Sequence, residues 1–515
     1  ELSTIDFPPE IIEKKLICLK SHLAPGPDGI HPQVLKSCAS ALKVPLSRIF
    51  QASFNSGCLP LDFKRTNITP IFKNGKKTSA SNYRPINLCS VPAKVMESII
   101  KDELLRHLTD NELILPSQHG FLPRKSCTTN LLEYLNEITA ALDKGIPFDV
   151  IMIDFKRAFD LVPFKQMLQK LEAHGVTGDA LKWLADWTNG RMQRVVLNGV
   201  SSTWTDVLSS VVQGSVLGPI LFIVFINDID LAITDPKTKI FKYADDSKFG
   251  RPICSPADAA ALQAQIDNIW EWSERWGMKI HPQKTYVLHF GHGNMKYDYS
   301  IDGVKISDAN TAKDLGVIID KSCSPSEHVH AITKKANGVL SQLNRTLISR
   351  NKTVVTNLFK VFVRPILESA VTAWCPWERQ DVDAIERVQR RATRMIPGIG
   401  KLPYVERLKI CKQTTLEDRR RRGDAIEVYK MLNGRTDINV DGFFCFTSQR
   451  HDVPTRTATN KCLVGEKCRL DIRKHFFPNR VVNPWNNLPL DVREAGSVID
   501  FKIMYDDWIQ LNTVC

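Results

Sequence analysis

The chain has 515 residues, of which 43% are hydrophobic and 24% charged, an ordinary balance for a globular protein. This length predicts about two to four domains, and the longest apolar run, residues 216–226, is too short to cross a bilayer and indicates a buried element. Thirteen scattered cysteines without a CxxC pair exclude a secreted disulfide framework and favour an intracellular protein, while the net charge of +13 favours nucleic acid as a partner over a membrane.

Helical and strand patterns alternate through the first part of the sequence. Pro8 and Pro9 open a short helix, and helical spacing returns over 33–55 after a loop rich in Pro, Gly and Asp. Residues 65–77 alternate like a strand and end in an Asn-Gly turn, which predicts a β-hairpin. Further strands are predicted over 149–154, 194–198 and 239–250, and helices over 127–143, 164–187 and 257–276. This interleaving predicts an α+β or mixed α/β fold.

The sequence becomes helical and basic between about residues 325 and 432. Residues 387–423 contain twelve Lys or Arg against three Asp or Glu, which favours a surface for phosphate backbones. The densest point, Arg419 to Arg422, is equally compatible with a solvated helix face. Four potential ligands near the C-terminus have a spacing that matches no common zinc module: His451, Cys462, Cys468 and His475.

One carboxylate stands at the end of an apolar strand pattern. In FDVIMIDFKRAFD, residues 148–160, the pattern ends at Asp154 and a turn and helix start follow. A buried, unpaired carboxylate is costly, so Asp154 is predicted to be a ligand rather than part of the core. The amides of Arg157 and Ala158, opening the next predicted helix, would be placed to hold phosphate groups.

Two further carboxylates are adjacent in YADD, residues 243–246. An exposed hairpin tip would tolerate Asp245 and Asp246 without any ligand. Together with Asp154, however, they would form an oxygen-rich site of the kind that suits Mg²⁺. Two such ions about 3.5–4 Å apart stabilise the attacking and leaving oxygens in phosphoryl transfer, which is the chemistry this set of acids predicts.

These segments resemble motifs A, B and C of reverse transcriptases, with QGSVLGPILFIVFINDI at 213–229 as motif B. Five more segments resemble the jockey-like polymerases of non-LTR (LINE-type) retrotransposons: GPDGI at 26–30, NYRPINL at 82–88, QHGFLPRKSC at 118–127, HPQKT at 281–285 and KDLGVIID at 313–320. The tail HFFPNRVVNPWNNLP at 475–489 is similar to that of jockey-like and chicken-repeat elements. The group II intron and telomerase polymerases share motifs A to C, but GPDGI and the tail favour the retrotransposon.

The resemblance implies an α+β right-hand polymerase with a helical basic thumb. The implied parts are an N-terminal helix or linker at 1–21, fingers and palm at 22–320, the thumb at 321–432 and a C-terminal extension at 433–515. Because the chain begins at Glu1, without a methionine, we expect it to be part of a longer polypeptide. The resemblance implies that the preceding region carries an endonuclease.

The resemblance also assigns roles to single residues. Metal binding falls to the carboxylates of Asp154, Asp245 and Asp246 and to the backbone carbonyl of Phe155. Phe159 would be the aromatic gate that excludes a 2′-hydroxyl, although a core phenylalanine is the alternative. Lys73, Arg84, Arg157 and Ala158 would contact the triphosphate, and Gln213 and Gly214 would contact the nucleotide and template. Lys284 would be the acid that protonates pyrophosphate, or simply a solvated lysine. Leu315 and Gly316 would lie at the primer 3′ end.

The implied function is RNA-directed DNA polymerisation by target-primed reverse transcription. A DNA 3′-hydroxyl would attack a dNTP on an RNA template, with two Mg²⁺ ions or Mn²⁺ as a substitute. The alternative is a catalytically decayed remnant that keeps nucleic-acid binding alone. We expect a ribonucleoprotein in the nucleus and cytoplasm, without a membrane association, and the sequence leaves the oligomeric state open.

Overall fold

The structure is a computed structural model that describes residues 1–207, 211, 214–446 and 461–512. Helices and sheets are mixed along the chain, which confirms the coarse α+β prediction. Within these ranges, no helix combines the length and the apolar character needed to cross a membrane.

Helices occur throughout the described residues. Those before residue 320 are α1 (Pro9–Ile17), α2 (Pro32–Ser37), α3 (Ala39–Ser56), α4 (Leu61–Lys64), α5 (Val91–Asp110), α6 (Cys127–Asp143), α7 (Phe164–Ala173), α8 (Gly178–Thr188), α9 (Gly218–Ile226) and α10 (Pro256–Trp276). Those after it are α11 (Ser326–Thr346), α12 (Lys352–Leu358), α13 (Arg364–Glu368), α14 (Val371–Trp374), α15 (Arg379–Arg394), α16 (Tyr404–Cys411) and α17 (Leu416–Leu432), then Asp471–Lys474, Phe477–Arg480, Val482–Asn486, Leu490–Arg493 and Val498–Asn512. A π-helical turn, Phe359–Val363, joins α12 to α13, and the 3₁₀ turns are Ala80–Asn82, Asn227–Ala232 and Val440–Gly442.

The strands are mostly short. They are β1 (Arg65–Phe72), β2 (Tyr83–Cys89), β3 (Phe148–Ile153), β4 (Met192–Leu197), β5 (Val200–Ser201), β6 (Thr205–Asp206), β7 (Lys239–Tyr243), β8 (Asp246–Pro252), β9 (Tyr286–Phe290), β10 (Ser300–Ile301), β11 (Val304–Lys305), β12 (Ser307–Asp308), β13 (Thr311–Asp314), β14 (Val317–Asp320), β15 (Cys445–Phe446) and β16 (Leu463–Val464).

A central five-stranded sheet has the order β12-β9-β3-β8-β7. Its middle strand, β3, is buried at every position because both faces are covered. Ile151 and Ile153 belong to one hydrophobic core, and Phe148, Val150 and Met152 belong to another. The alternation of side chains along a strand produces this division. Because both faces are covered, every residue of β3 is apolar except Asp149, which is buried and hydrogen-bonded to His289, Asn294 and Tyr299.

The first core gathers side chains between Leu2 and Ile306, with α9 buried inside it. Since α9 is apolar all round and buried from Ile220 to Ile226, the prediction of a buried element over 216–226 is confirmed. The second core joins α6, one face of β3 and the β13–β14 hairpin to helices that follow residue 320. The helical character predicted after residue 325 is likewise observed.

A second sheet has the order β2-β1-β4-β5, with β6 also paired to β4. The hairpin predicted over 65–77 exists, but β1 pairs with β2 from Phe72 opposite Tyr83, so the connection is a longer loop than an Asn-Gly turn. The side chain of Asn82 donates to the carbonyl of Lys76 at 2.9 Å and closes that loop. Side-chain hydrogen bonds within the loop therefore replace the predicted tight turn.

Two predicted helices are interrupted. The pattern over 33–55 is divided between α2 and α3 at Cys38, and the pattern over 164–187 is divided between α7 and α8. Gly175 has φ +79°, the left-handed conformation that commonly ends a helix. Periodicity alone does not reveal such breaks, because the apolar positions stay in phase across them.

Candidate active site

The central sheet brings the three predicted acids to one edge. β3 pairs antiparallel with β8, and Ile153 lies opposite Ser247. Asp154 follows Ile153 and Asp246 precedes Ser247, so the same register sets these two residues side by side. Asp245 lies in the tight turn that joins β7 to β8, directly before Asp246. Strand pairing thus assembles acids that are far apart in sequence.

The electrostatics of this edge show closely spaced like charges. Burial raises the pKa of Asp245 above its usual value, and the Asp154 carboxylate raises it further, while Arg84 and Lys73 act in the opposite sense. Burial and then repulsion by Asp245 raise the pKa of Asp246 to about 6. An ionised cluster of this kind is stabilised by a cation placed between its members.

The donor set suits a hard divalent cation, although the protein by itself does not close a metal site. In the described part of the chain, no group of three or more His, Cys, Asp or Glu side chains is arranged to hold a metal ion. Mg²⁺ needs only one or two carboxylates when substrate phosphates complete its shell. Burial and the repulsion between neighbouring carboxylates raise the pKa values of Asp245 and Asp246, so a divalent cation would stabilise their charged forms, and in that respect the residues fit Mg²⁺.

The turn after β3 differs from its prediction. No helix begins at Arg157, because this residue has φ +45° and α7 starts only at Phe164, after Pro163. Residues 156–160 form turns instead, closed by the Asp160 amide donating to the carbonyl of Arg157. Among the described residues, the amides of Arg157 and Ala158 donate no hydrogen bond, so they remain available to a phosphate on a turn rather than at a helix N-terminus.

Phe159 lies at the end of this turn and is half-buried. Its ring stacks on Phe222 of α9, with 4.3 Å between the ring centroids and 16° between the planes. The ring of Phe121 meets it edge-on at 6.4 Å. Phe159 is therefore fixed by aromatic packing while part of its surface stays open, an arrangement compatible with both the gate and the core interpretation.

The segment before β9 packs against the same turn and positions Lys284. The amide of His281 donates to the Asp154 carbonyl at 2.8 Å, and the Lys156 amide donates to the carbonyl of Lys279 at 2.8 Å. Lys284 Nζ lies 3.6 Å from Asp154 Oδ2. The structure therefore brings Lys284, the predicted acid for pyrophosphate, to the predicted metal ligand Asp154, and both side chains are well exposed.

The loop before α9 contains Gly214, which has φ +114° and lies against β2. A Cβ atom here would approach the Asn87 carbonyl oxygen to 2.4 Å, so only glycine fits without movement. Buried Glu97 accepts the Val216 amide at 2.7 Å and fixes the rest of this loop. Gln213 lies outside the described residues.

Lys73 and Arg84 lie on the second sheet and its loop. Lys73 follows β1, and its amide donates to the carbonyl of Asn82 at 2.8 Å. Arg84 lies in β2 opposite Ile71. Both side chains are exposed, and their charges act on Asp245, as the direction of its pKa contributions shows. They are placed to meet an anion that approaches the acids.

Gln118 is a site residue whose function the sequence reasoning missed. Its Oε1 accepts the amide of Ala244 at 2.9 Å and the amide of Gly120 at 2.7 Å, so it holds the turn that carries Asp245. A Cβ at Gly120 would lie 2.5 Å from the Ala244 nitrogen. The one local signal of this contact with Ala244 in the sequence is that Gln118 stands two positions before Gly120.

Comparison with known proteins shows which family this part of the chain resembles. Residues 73–319 match the family described as reverse transcriptase (RNA-dependent DNA polymerase). Residues 73–319, just under half of the chain, are thus similar to a reverse transcriptase domain. All the predicted nucleotide-site residues from Lys73 to Lys284 fall inside the match, as do Leu315 and Gly316.

The relatives come from non-LTR retrotransposons, which confirms the resemblance seen in the sequence. The probable RNA-directed DNA polymerase from transposon BS of Drosophila melanogaster is 28% identical over 77% of this chain and 45% of its own length. The RNA-directed DNA polymerase from mobile element jockey of Drosophila funebris is 25% identical over 77% of this chain and 44% of its own. The probable RNA-directed DNA polymerase from transposon X-element of Drosophila melanogaster is 25% identical over 76% and 44%. The chain thus spans less than half the length of these relatives.

At the end of the reverse transcriptase domain, Leu315 and Gly316 form the tight turn between β13 and β14, with φ values of +46° and +89°. The neighbouring Asp314 is buried and pairs with the buried Lys248 of β8. This ion pair joins the hairpin to the strand that begins at Asp246. The two segments are therefore held in a fixed relation, which suits a hairpin predicted to position a primer.

The four arginines of α17 do not form a free basic surface. Arg419 pairs with Glu368 through two hydrogen bonds of 2.5 and 2.9 Å, and Arg422 pairs with Asp506 in the same bidentate way. Arg421 pairs with Glu417 of its own helix, and Arg420 is buried. Both interpretations offered for this run are therefore incomplete, since most of its charge holds helices together.

The C-terminal tail motif is structural within the described residues. Arg480 forms a bidentate ion pair with Asp424 and also donates to the Thr372 carbonyl at 2.7 Å. Asn486 both donates to and accepts from the backbone of Leu463. Of the four potential zinc ligands, three are described and no metal-binding cluster includes them, whereas His451 lies outside the described residues.

Proposed function

We propose that this chain is an RNA-directed DNA polymerase that extends a DNA 3′-hydroxyl with dNTPs on an RNA template. The observation that carries the proposal is the convergence of Asp154, Asp245 and Asp246 at one edge of the central sheet inside the reverse transcriptase match. Relatives named as polymerases of mobile elements favour target-primed synthesis as the context.

The proposed metal site uses the three acids and the carbonyl of Phe155. Bound divalent ions, typically Mg²⁺ and by this proposal two of them, would neutralise the developing charge on the attacking and leaving oxygens. The protein's own contribution is to hold three carboxylates at fixed positions through the β3–β8 register and the Gln118 contact. Preorganised charge of this kind is the usual source of catalytic stabilisation.

The remaining residues would bind and select the nucleotide. Lys73 and Arg84 would hold the triphosphate together with the amides of Arg157 and Ala158, since Arg and Lys bind phosphate oxygens well. Phe159 would be the gate that excludes ribonucleotides, and Gln213 and Gly214 would contact the nucleotide and template. Lys284 would donate a proton to pyrophosphate, and Leu315 with Gly316 would form the primer grip.

The finer architecture is also part of the proposal. Fingers and palm would occupy residues 22–320, after a linker at 1–21, with a thumb at 321–432 and an extension at 433–515. The mixed sheet with its covered faces supports a palm, and the helices after residue 320 support a thumb. A nuclear and cytoplasmic ribonucleoprotein remains the proposed setting.

Primer extension with an RNA template, a DNA primer, dNTPs and Mg²⁺ tests the proposal. We expect synthesis by the parent and a loss of about 1,000-fold or more in Asp245→Asn, since several kcal/mol of charge stabilisation are removed. Asp302→Asn, which changes an exposed acid in a loop, is the matched control and should retain parental activity. Binding of the duplex without synthesis by the parent would instead favour the decayed, nucleic-acid-binding remnant.

A further inference from the structure

A cleft of about 190 Å³ lies among the helices that follow the reverse transcriptase domain. Its walls come from the π-helical turn and α13 on one side, α15 on another, and the loop between α16 and α17. We call it the basic cleft because four of its lining side chains are cations. The residues that matter here are Lys360, Arg364, Gln389, Lys412, Thr414 and Arg419.

The charge in the basic cleft is not balanced by the protein. Glu368 neutralises Arg419 through two hydrogen bonds, and Arg364 reaches the same carboxylate only at 3.6 Å. In the part of the chain that the structure describes, neither Lys360 nor Lys412 forms an ion pair. Burial lowers the pKa of Arg364, and the like charge of Arg419 lowers it further. Four cations that line one cleft therefore share one carboxylate, and a bound anion would reduce the repulsion between them.

The floor of the basic cleft is held in place. Gln389 is only 1% exposed, and its Nε2 donates to the Thr414 carbonyl at 2.8 Å. Lys412 has φ +50° at the end of α16, and its amide donates to the carbonyl of Lys409 at 3.1 Å. These contacts fix the backbone that carries Lys412, and a fixed backbone loses less conformational entropy on binding than a flexible loop.

We propose that the basic cleft binds one backbone phosphate of the nucleic acid held by this polymerase. Arg and Lys are the side chains that bind phosphate in proteins, and the cleft presents two of each. No aromatic side chain lines the cleft among the described residues, so it offers no stacking surface for the base of a free nucleotide. The segment from residue 387 to 423 around it carries a local charge of +9, twelve basic against three acidic residues, which suits a strand rather than an isolated ion. This inference rests on the proposed function, because it assumes that the chain holds a primer–template.

The test is the affinity for a fluorescent RNA–DNA primer–template, measured by anisotropy in EDTA at several KCl concentrations. The double variant Lys360→Gln/Lys412→Gln is compared with Lys14→Gln/Lys20→Gln, which removes the same charge from exposed positions outside the proposed thumb. We expect the cleft variant to lose affinity about tenfold, and the slope of log K against log salt to fall by about one. The Lys14/Lys20 variant should change by less than about twofold.

Two further measurements separate the outcomes. Lys360→Arg/Lys412→Arg keeps the charge and should bind like the parent. A tenfold fall in its affinity as well would mean that charge in the cleft does not determine binding, and would overturn the proposal. If the two Gln variants bind the primer–template equally while inorganic phosphate stabilises the parent but not the cleft variant against heat, the cleft is a free-anion site and the proposal is wrong. Because binding is measured without Mg²⁺, a chain that fails primer extension still reports on the cleft.

Discussion

At Gly214 the backbone conformation and the space available both require glycine. We expect Gly214→Ala to lower the free energy of unfolding by about 3 kcal/mol or more, because a left-handed residue with a side chain costs about 1–3 kcal/mol and the contact with Asn87 adds to it. Gly199 also has a left-handed backbone, with φ +82°, but a Cβ atom there would meet no other atom within 4 Å, so it provides the control. Urea unfolding should show a loss of about 1 kcal/mol for Gly199→Ala, and equal losses in the two variants would contradict the packing argument.

Phe159 is the residue whose proposed role can be separated most sharply from packing. We expect Phe159→Val to raise the use of ribonucleotides relative to deoxynucleotides about tenfold or more, because removal of the ring opens room for a 2′-hydroxyl. The measurement is primer extension with each nucleotide type. Phe222→Leu removes the stacking partner and leaves the gate in place, so its nucleotide preference should stay parental. A parallel fall in both activities of Phe159→Val would mean that Phe159 only fills the core.

At the scale of elements, His328 couples α11 to the β13–β14 hairpin. Its Nδ1 accepts the amide of Ile318 at 3.1 Å, its ring meets Trp374 edge-on at 4.5 Å, and it is only 3% exposed. Burial lowers the pKa of His328 to about 4. The hairpin contact thus requires the neutral imidazole.

This contact predicts a pH dependence of stability. With a pKa near 4 in the folded protein and about 6.5 when unfolded, the unfolded state binds more protons between these values, so stability is full above pH 6.5 and falls as the pH drops toward 4. The loss from this group is about 3 kcal/mol. His328→Asn, which can keep the acceptor, should show a correspondingly smaller difference between unfolding at pH 7 and pH 4.5. Identical pH profiles for parent and variant would exclude His328 as the source.

At the scale of the whole molecule, the C-terminal segments belong to the second core. Arg480 anchors them to α17 through Asp424, and removing one partner of a buried pair costs about 3–5 kcal/mol. We expect Arg480→Gln to lower the free energy of unfolding by about 3 kcal/mol. Arg421→Gln, which breaks an exposed pair within one helix, should cost less than about 0.5 kcal/mol. Denaturant titration distinguishes them, and a small loss in both would mean that the tail is docked only weakly.

A local sequence pattern is enough to predict some candidate site residues. Asp154 at the end of a mostly apolar strand and the adjacent pair Asp245 and Asp246 are recognisable because each departs from what a core or a surface needs, and their roles in catalysis stay predictions. Glu97 and Gln118 were not, because a carboxylate or amide in a helical or loop pattern looks like ordinary surface. Their importance comes from backbone amides of distant segments that they satisfy.

The amino-acid pattern is sufficient to predict the resemblance to reverse transcriptases, the mixture of helices and strands, the buried strand with its terminal acid and the excess of basic charge. The place where that charge acts depends on the packing of distant segments. Arg419 and Arg422 pair with Glu368 and Asp506, whereas Lys412 of the same basic segment lines the basic cleft together with Lys360, which lies outside that segment. The physical reason is that the free energy of a charge depends on the solvent and the groups opposite it, and those come from segments far away in the chain.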